Sequence, residues 1–203
     1  MRLTNILVKM PRDNTKSKRI ILELLHNPDG KLTKYGISKE TGTNISWVIY
    51  FLKKLEEKKI VEDTMVINID ELIDNYISLD KKISKMDFHI PSPVDYFKKS
   101  KNEYMLTTYA AENLISHSLF PSRIDVYVKK EDREEWKKEL FKKGLIGKGN
   151  LRLIVAHDNY LFKFKKIIKD LNVATIPLLM IDLKREGGVC LEAYKYLLKN
   201  VQK

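Results

Sequence analysis

The sequence predicts an α+β protein: an N-terminal winged helix-turn-helix followed by a mixed α/β C-terminal domain. Three observations carry that expectation. Residues 36–63, GISKETGTNISWVIYFLKKLEEKKIVED, hold two helical segments separated by Gly42 and restarted after Asn44. A third helical stripe precedes them, and a short β-branched run, IVEDTMVINID, follows. From Tyr104 onward, strand-like alternation and helical spacing take turns along the chain, as in α/β and α+β domains.

The elements follow in order. Ile20, Ile21, Leu24 and Leu25 recur at helical spacing, and Asn27–Gly30 reads as a turn. A short polar helix, Tyr35–Thr41, stops at Gly42, because glycine tolerates the left-handed turn that ends a helix. Asn44 caps the next helix, which runs to Lys58 or Lys59. Trp47/Val48, Phe51/Leu52 and Leu55 form its core stripe, with Trp47 as an anchor. The following hairpin is a meagre wing, since no glycine-rich basic loop separates its strands. Residues 71–85 place Leu72, Ile73, Tyr76, Leu79 and Ile83 on one face of a connector helix. That stripe could pack onto the same chain or pair with a second copy. Pro91 and Pro93 break the pattern and mark a loop. The expected organisation is therefore 1–70 DNA-binding domain, 71–99 connector helix and linker, and 100–203 α/β domain.

Within 100–203, YMLTTYAAENLISHSLF reads as a short extended stretch and then a helix capped by Thr107 or Thr108. SRIDVYVKK and NLRLIVAHD alternate as strands, and EDREEWKKELFKKG is an amphipathic helix closed by Gly144. YLFKFKKIIKDL fits a strand or a helix. VATIPLLMIDLKREGG ends at paired glycines before a closing helix, VCLEAYKYLLKNV.

Charge narrows the partners. The formal net charge is +11 and the pI about 9.5, so an acidic partner is expected. The excess is concentrated early: residues 1–61 hold 13 Lys/Arg against 6 Asp/Glu. No apolar run approaches a membrane span, and MRLTNILVKMPRDN is too short and too soon broken for an export signal. A lone Cys190 suits a reducing compartment, so a cytoplasmic location is expected.

Double-stranded DNA is the partner this pattern favours; the alternative is a winged helix retained purely for protein contacts, without significant DNA reading. Lys34, Ser38 and Lys39 are placed to reach phosphates. Thr43, Asn44 and Ser46 lie where the second helix meets the groove, and Tyr50, Lys53 and Lys54 continue along its solvent side. Asn44, Ser46 and Tyr50 are the candidates for base discrimination. A dimer on DNA is expected, because one short helix reads too few base pairs.

Catalytic signatures are poor. His26, His89, His117 and His157 show no paired-ligand spacing, and IGKGN lacks the Walker pattern, so neither metal nor nucleotide cofactor is expected. The one enzymatic alternative is a metal-dependent nuclease. It would use Asp182 and Lys184 at a strand end, with Asp125 or Asp158 completing the carboxylate set. The structural alternative has Asp182 ordering a turn.

Two blocks, YMLTTYAAENLISHSLFPSRIDVYV and ATIPLLMIDLKREGGVCLEAYKYLL, resemble the C-terminal region of the AbiEi-like family. These are winged-helix repressors that act as antitoxins in type IV toxin–antitoxin systems. The matching residues include Leu106, Thr107, Ala110 and Ala111, then Pro177, Asp182, Leu183, Gly187, Gly188, Glu192, Ala193 and Leu198. The resemblance implies DNA binding by the N-terminal domain and autoregulation. It also implies a C-terminal domain that neutralises a nucleotidyltransferase-like toxin, with Thr107, Ala110, Asp182, Gly187, Gly188 and Glu192 as its motif or partner-binding residues.

Overall fold

A computed structural model describes residues 14–80 and 83–201. The N-terminal segment read as lacking an export signal lies outside the described residues, apart from Asn14. The chain is mixed α and β. Three helices come first: α1 (Thr15–His26), α2 (Lys34–Thr41) and α3 (Ile45–Glu57). A two-stranded antiparallel hairpin, β1 (Val61–Glu62) and β2 (Met65–Val66), follows, and α4 (Ile69–Ser78) leads out of the unit.

The α2–α3 junction forms as its residues dictate. Thr33 Oγ1 accepts from Gly36 N at 3.0 Å to start α2. Gly42 ends it at φ 62°, where a side chain would be strained. Asn44 Oδ1 then accepts from Ser46 N at 2.8 Å to cap α3. Val48, Phe51, Leu52 and Leu55 turn inward, onto the core that also holds Ile20, Ile21, Leu24 and Ile37. Trp47 departs from expectation. It is 39% exposed and lies against Tyr50, with ring centroids 5.5 Å apart. One residue before Val48, it sits about 100° round the helix, beyond the edge of the buried stripe.

A seven-stranded mixed sheet forms the second half. Its strands are β3 (Lys85–His89), β4 (Tyr104–Thr107), β5 (Ile124–Val128), β6 (Leu145–Ile146), β7 (Leu151–Val155), β8 (Lys165–Ile168) and β9 (Leu171–Ala174). The spatial order is β6-β3-β7-β5-β4-β9-β8, with β5/β7 and β4/β9 parallel and the other pairs antiparallel. The sheet begins earlier than the proline-marked loop suggests. β3 lies within the stretch read as linker, and α5 (Pro93–Lys99) starts at the second of its two prolines, where the missing N–H costs nothing. Gly144 and Gly149 are explained by the same strand. A Cβ on either would fall 2.0 Å from His89 O and 2.1 Å from Phe88 O, so only glycine lets these loops lie against β3.

Helices cover both faces of the sheet. Tyr104 on β4 packs with Phe97 of α5 and Trp136 of α7 (Arg133–Lys143). Thr107, Asp125 and Tyr127 stand on the opposite face, where Thr107 and Tyr127 meet α8 (Ile176–Glu186). Helices α6 (Thr108–Ile115) and α9 (Cys190–Val201) pack beside α8. The segment YLFKFKKIIKDL is neither one helix nor one strand: Asn159–Phe164 is a 3-10 helix and β8 follows directly.

The three-helix unit is fastened to the sheet half along a polar seam. Arg19 of α1 reaches Asp158 with Nε at 2.5 Å and Nη2 at 2.8 Å. Lys163 bridges Glu23 of α1 and Glu40 of α2. Lys184 of α8 pairs with Asp70 at 2.5 Å and Asp74 at 2.6 Å on α4. Leu72, Ile73 and Tyr76 are buried against this assembly and Leu79 and Ile83 lie partly buried on the same core, so the connector stripe packs largely within its own chain, on a helix that ends at Ser78. Among the described residues, no helix is long and apolar enough to cross a membrane.

Candidate functional site

Two places hold the residues that the sequence singles out. The first is the outer surface of α2 and α3. Lys39, Asn44, Ser46, Tyr50, Lys53 and Lys54 are all exposed there. Tyr50 is 48% exposed, and Lys54 Nζ sits 4.4 Å from its ring centroid, so the two present one cation–aromatic unit to solvent. Trp47 and Ile49 widen this face, and Tyr35 of α2, 73% exposed, lies outside the core.

Three candidates are placed differently. Thr43 is buried, because it packs inside the turn between the helices, and it cannot reach a phosphate. Ser38 is half-buried and its hydroxyl donates to Thr43 O at 2.6 Å, so it ties the turn together. Lys34 is held by Asp63 of the hairpin at 2.7 Å and would have to leave that exposed pair to meet DNA. Asn44 is exposed, but its Oδ1 is occupied as the cap of α3, which leaves its NH2 group as the part not engaged in capping.

The second place is buried. Asp182 lies in the middle of α8, not at a strand end or in a turn. A helix places Asp182, Arg185 and Glu186 on the side turned to the sheet, where sequence spacing alone leaves their partners unknown. Thr107 Oγ1 donates to Asp182 at 2.5 Å, Tyr127 OH donates at 2.7 Å, and Arg185 forms an ion pair with it. Burial raises the Asp182 carboxyl above its ordinary value, against the opposing pull of Arg185, Thr107 and Tyr127. Burial likewise pushes the Tyr127 phenol well up, so it remains a neutral donor. Beside this cluster, Arg123 joins Asp125 at 2.5 Å to Glu186 at 2.6 Å, and Thr108 donates to Asp125. Thr108 adopts φ 46°, costly for a β-branched residue, at the sharp turn from β4 into α6.

These partners separate the residues of the nuclease alternative. Asp182 faces the sheet, whereas Lys184 faces α4 and is held by Asp70 and Asp74. Asp125 borders the same small cleft as Asp182, while Asp158 is committed to Arg19 on α1. Among the described residues, no group of three or more His, Cys, Asp or Glu side chains is placed to hold a metal ion.

The resemblance residues divide in the same way. Thr107, Ala110 and Asp182 are buried, so they build the domain and present nothing to a partner. Gly187 at φ 75° and Gly188 at φ 54° make the left-handed break between α8 and α9. Glu192 is exposed and paired with Lys195 at 2.9 Å. Sequence reasoning passed over Arg185, Tyr127 and Asp80, the partners that complete the buried cluster; the only available signal was an arginine three residues after an aspartate in an apolar helix. Comparison with protein-family models, curated proteins and solved structures finds no match to this chain.

Proposed function

We propose that the chain is a sequence-specific DNA-binding transcriptional regulator whose N-terminal unit acts as a winged helix-turn-helix and represses its own operon. The observation that carries this reading is the outer face of α3. Ser46, Trp47, Tyr50, Lys53 and Lys54 stand outside the core on one capped helix, in a chain of net charge +11. Aromatic and hydroxyl groups there suit base edges and the thymine methyl, and the two lysines suit phosphates. The short hairpin contributes little, so affinity rests on α3 and on neighbouring lysines such as Lys39. On this reading the protein binds its operator as a dimer formed on the DNA.

The test is a set of binding titrations over several salt concentrations, on duplex from the chain's own upstream region and on scrambled duplex. Lys53→Ala with Lys54→Ala should weaken both by similar factors and lower the salt slope by about one for each lysine on a phosphate. Ser46→Ala and Tyr50→Phe should reduce the preference for operator while sparing scrambled duplex. Full affinity and full salt slope in the double-lysine variant would remove α3 from the interface.

A protein-binding role in the second half, toward a nucleotidyltransferase-like toxin, is the companion proposal. It is supported by the exposed residues Val189 (63%), next to the glycine pair, and Tyr196 (52%), further along α9. Reciprocal pull-down with the product of a neighbouring gene tests it, and the Val189→Ser/Tyr196→Ser variant should release the partner.

A further inference from the structure

A cleft of about 320 Å³ opens where α1, the end of α4, the sheet and α8 meet. Its floor is the crevice outside the carboxyl ends of β5 and β7, the central parallel pair: Val155 ends β7, Ala156 and His157 follow it, and Lys130 follows β5. In open sheets with parallel strands this crevice is the usual place for a small ligand. The volume is at the low end for ligand pockets (about 300–1,000 Å³), enough for a compact molecule and too little for a dinucleotide.

The lining is divided. Leu79, Ile83, Val155 and Ala156 make an apolar wall. Lys18, Lys130, Arg133 and Arg185 bring four cations, against one lining carboxylate, Asp80. Asp80 is already shared by Lys18 and Arg185, so two of the cations are compensated. Among the described residues, Lys130 and Arg133 are not compensated to the same degree. The Arg133 side chain is 42% exposed and its one ion pair among the described residues is a loose contact with Glu134 at 3.9 Å, while its Nε atom is covered and has no hydrogen-bond partner among the described residues. That Nε–H is therefore a donor open to a ligand in the cleft.

We propose that this cleft binds a small organic oxyanion, a phosphate monoester or a carboxylate carried on a compact apolar body. The oxyanion lies between Lys130 and Arg133, with Arg133 Nε as a donor, and the body rests on Leu79, Ile83 and Val155. The site belongs to the junction of the two halves and stands independently of the DNA reading.

Three probes with one ring and different heads test it on the full chain: phenyl phosphate, benzoate and neutral benzyl alcohol, by titration calorimetry at fixed ionic strength. Phenyl phosphate or benzoate should bind in the millimolar range, and benzyl alcohol at least about tenfold more weakly. The tighter of the two anions identifies the head group. Lys130→Gln with Arg133→Gln should weaken that anion about tenfold while duplex affinity stays unchanged. Ser84→Phe, at an exposed lining position, should block the cleft without touching the cations, and its unfolding transition checks that the fold is kept. Equal binding of all three probes, no binding of either anion, or undiminished anion binding in both variants overturns the proposal.

Discussion

Trp47 and Trp136 show how one residue type is assigned opposite work by its surroundings. Trp136 is fully buried among Phe97, Tyr96 and Tyr104, whereas Trp47 stands at the rim of α3. Trp136→Ala should therefore cost about 3–5 kcal/mol of stability, and Trp47→Ala about 1 kcal/mol or less, in urea unfolding. If α3 reads DNA, Trp47→Ala should still lower duplex affinity. His26 is the second residue with a measurable signature. It stacks on Phe164 at 4.0 Å, and its ring nitrogens bond Leu22 O and Thr175 Oγ1, each at 2.7 Å. Burial lowers its pKa below the ordinary value of 6.5. The unfolded chain thus takes the proton first as pH falls. The stability tied to neutral His26 is complete above pH 6.5 and declines as pH falls from there toward the lowered folded value. His26→Phe, which keeps a ring against Phe164, should flatten the stability profile between pH 7 and 5.

At the scale of elements, α8 joins the halves of the protein. Its inner face gives Asp182 to Thr107 of β4 and Tyr127 of β5, and its outer face gives Lys184 to α4. Asp182→Ala leaves Arg185 partly unpaired and two buried hydroxyls without their acceptor, and should cost about 3–5 kcal/mol. Asp182→Asn keeps an acceptor and should cost less. A thermal or urea melt ranks the two, and equal losses would show that charge and acceptor do not contribute separately. The apolar run of α8 and the glycines that end it were legible, but the helix that carries Asp182 was read as a strand end or a turn. Its polar partners were not legible, because they come from strands 55 and 75 residues away. The α2–α3 boundaries were legible to within a residue or two, since caps and glycines act locally. The displacement of Trp47 was not, because a stripe two residues wide does not say which of its edges the core will cover.

At the scale of the whole molecule, the polar seam and one contiguous core make the two halves interdependent. Burial tends to raise Asp158 and Asp70. Arg19 and Tyr160 N–H outweigh it at Asp158, and Lys184 and Tyr194 outweigh it at Asp70, so both carboxyls end below their ordinary values. For depressed carboxylates the sign is opposite to a raised group: their stabilisation is present above the unfolded value, about 3.9, and is lost as pH falls below it. Unfolding followed by circular dichroism and by tryptophan fluorescence should therefore coincide at pH 7. Stability should then drop steeply below about pH 4, and Asp158→Asn should shift the acid limb to a smaller amplitude. Separate transitions for the helical and sheet signals at pH 7 would show that the seam does not couple the halves.

Local chemistry in the sequence determined the mixed α and β composition of the fold, its paired helices and their caps, the glycine breaks and the positions of most strands. Each of these follows from backbone preferences and periodicity within a dozen residues. Only the tertiary structure decided which way the candidate side chains turned. It buried Thr43, Thr107 and Asp182, exposed Trp47, drew β3 out of the expected linker and packed the connector stripe largely within the chain. Those outcomes depend on desolvation and pairing between residues far apart in the chain, and no short window of sequence contains both partners.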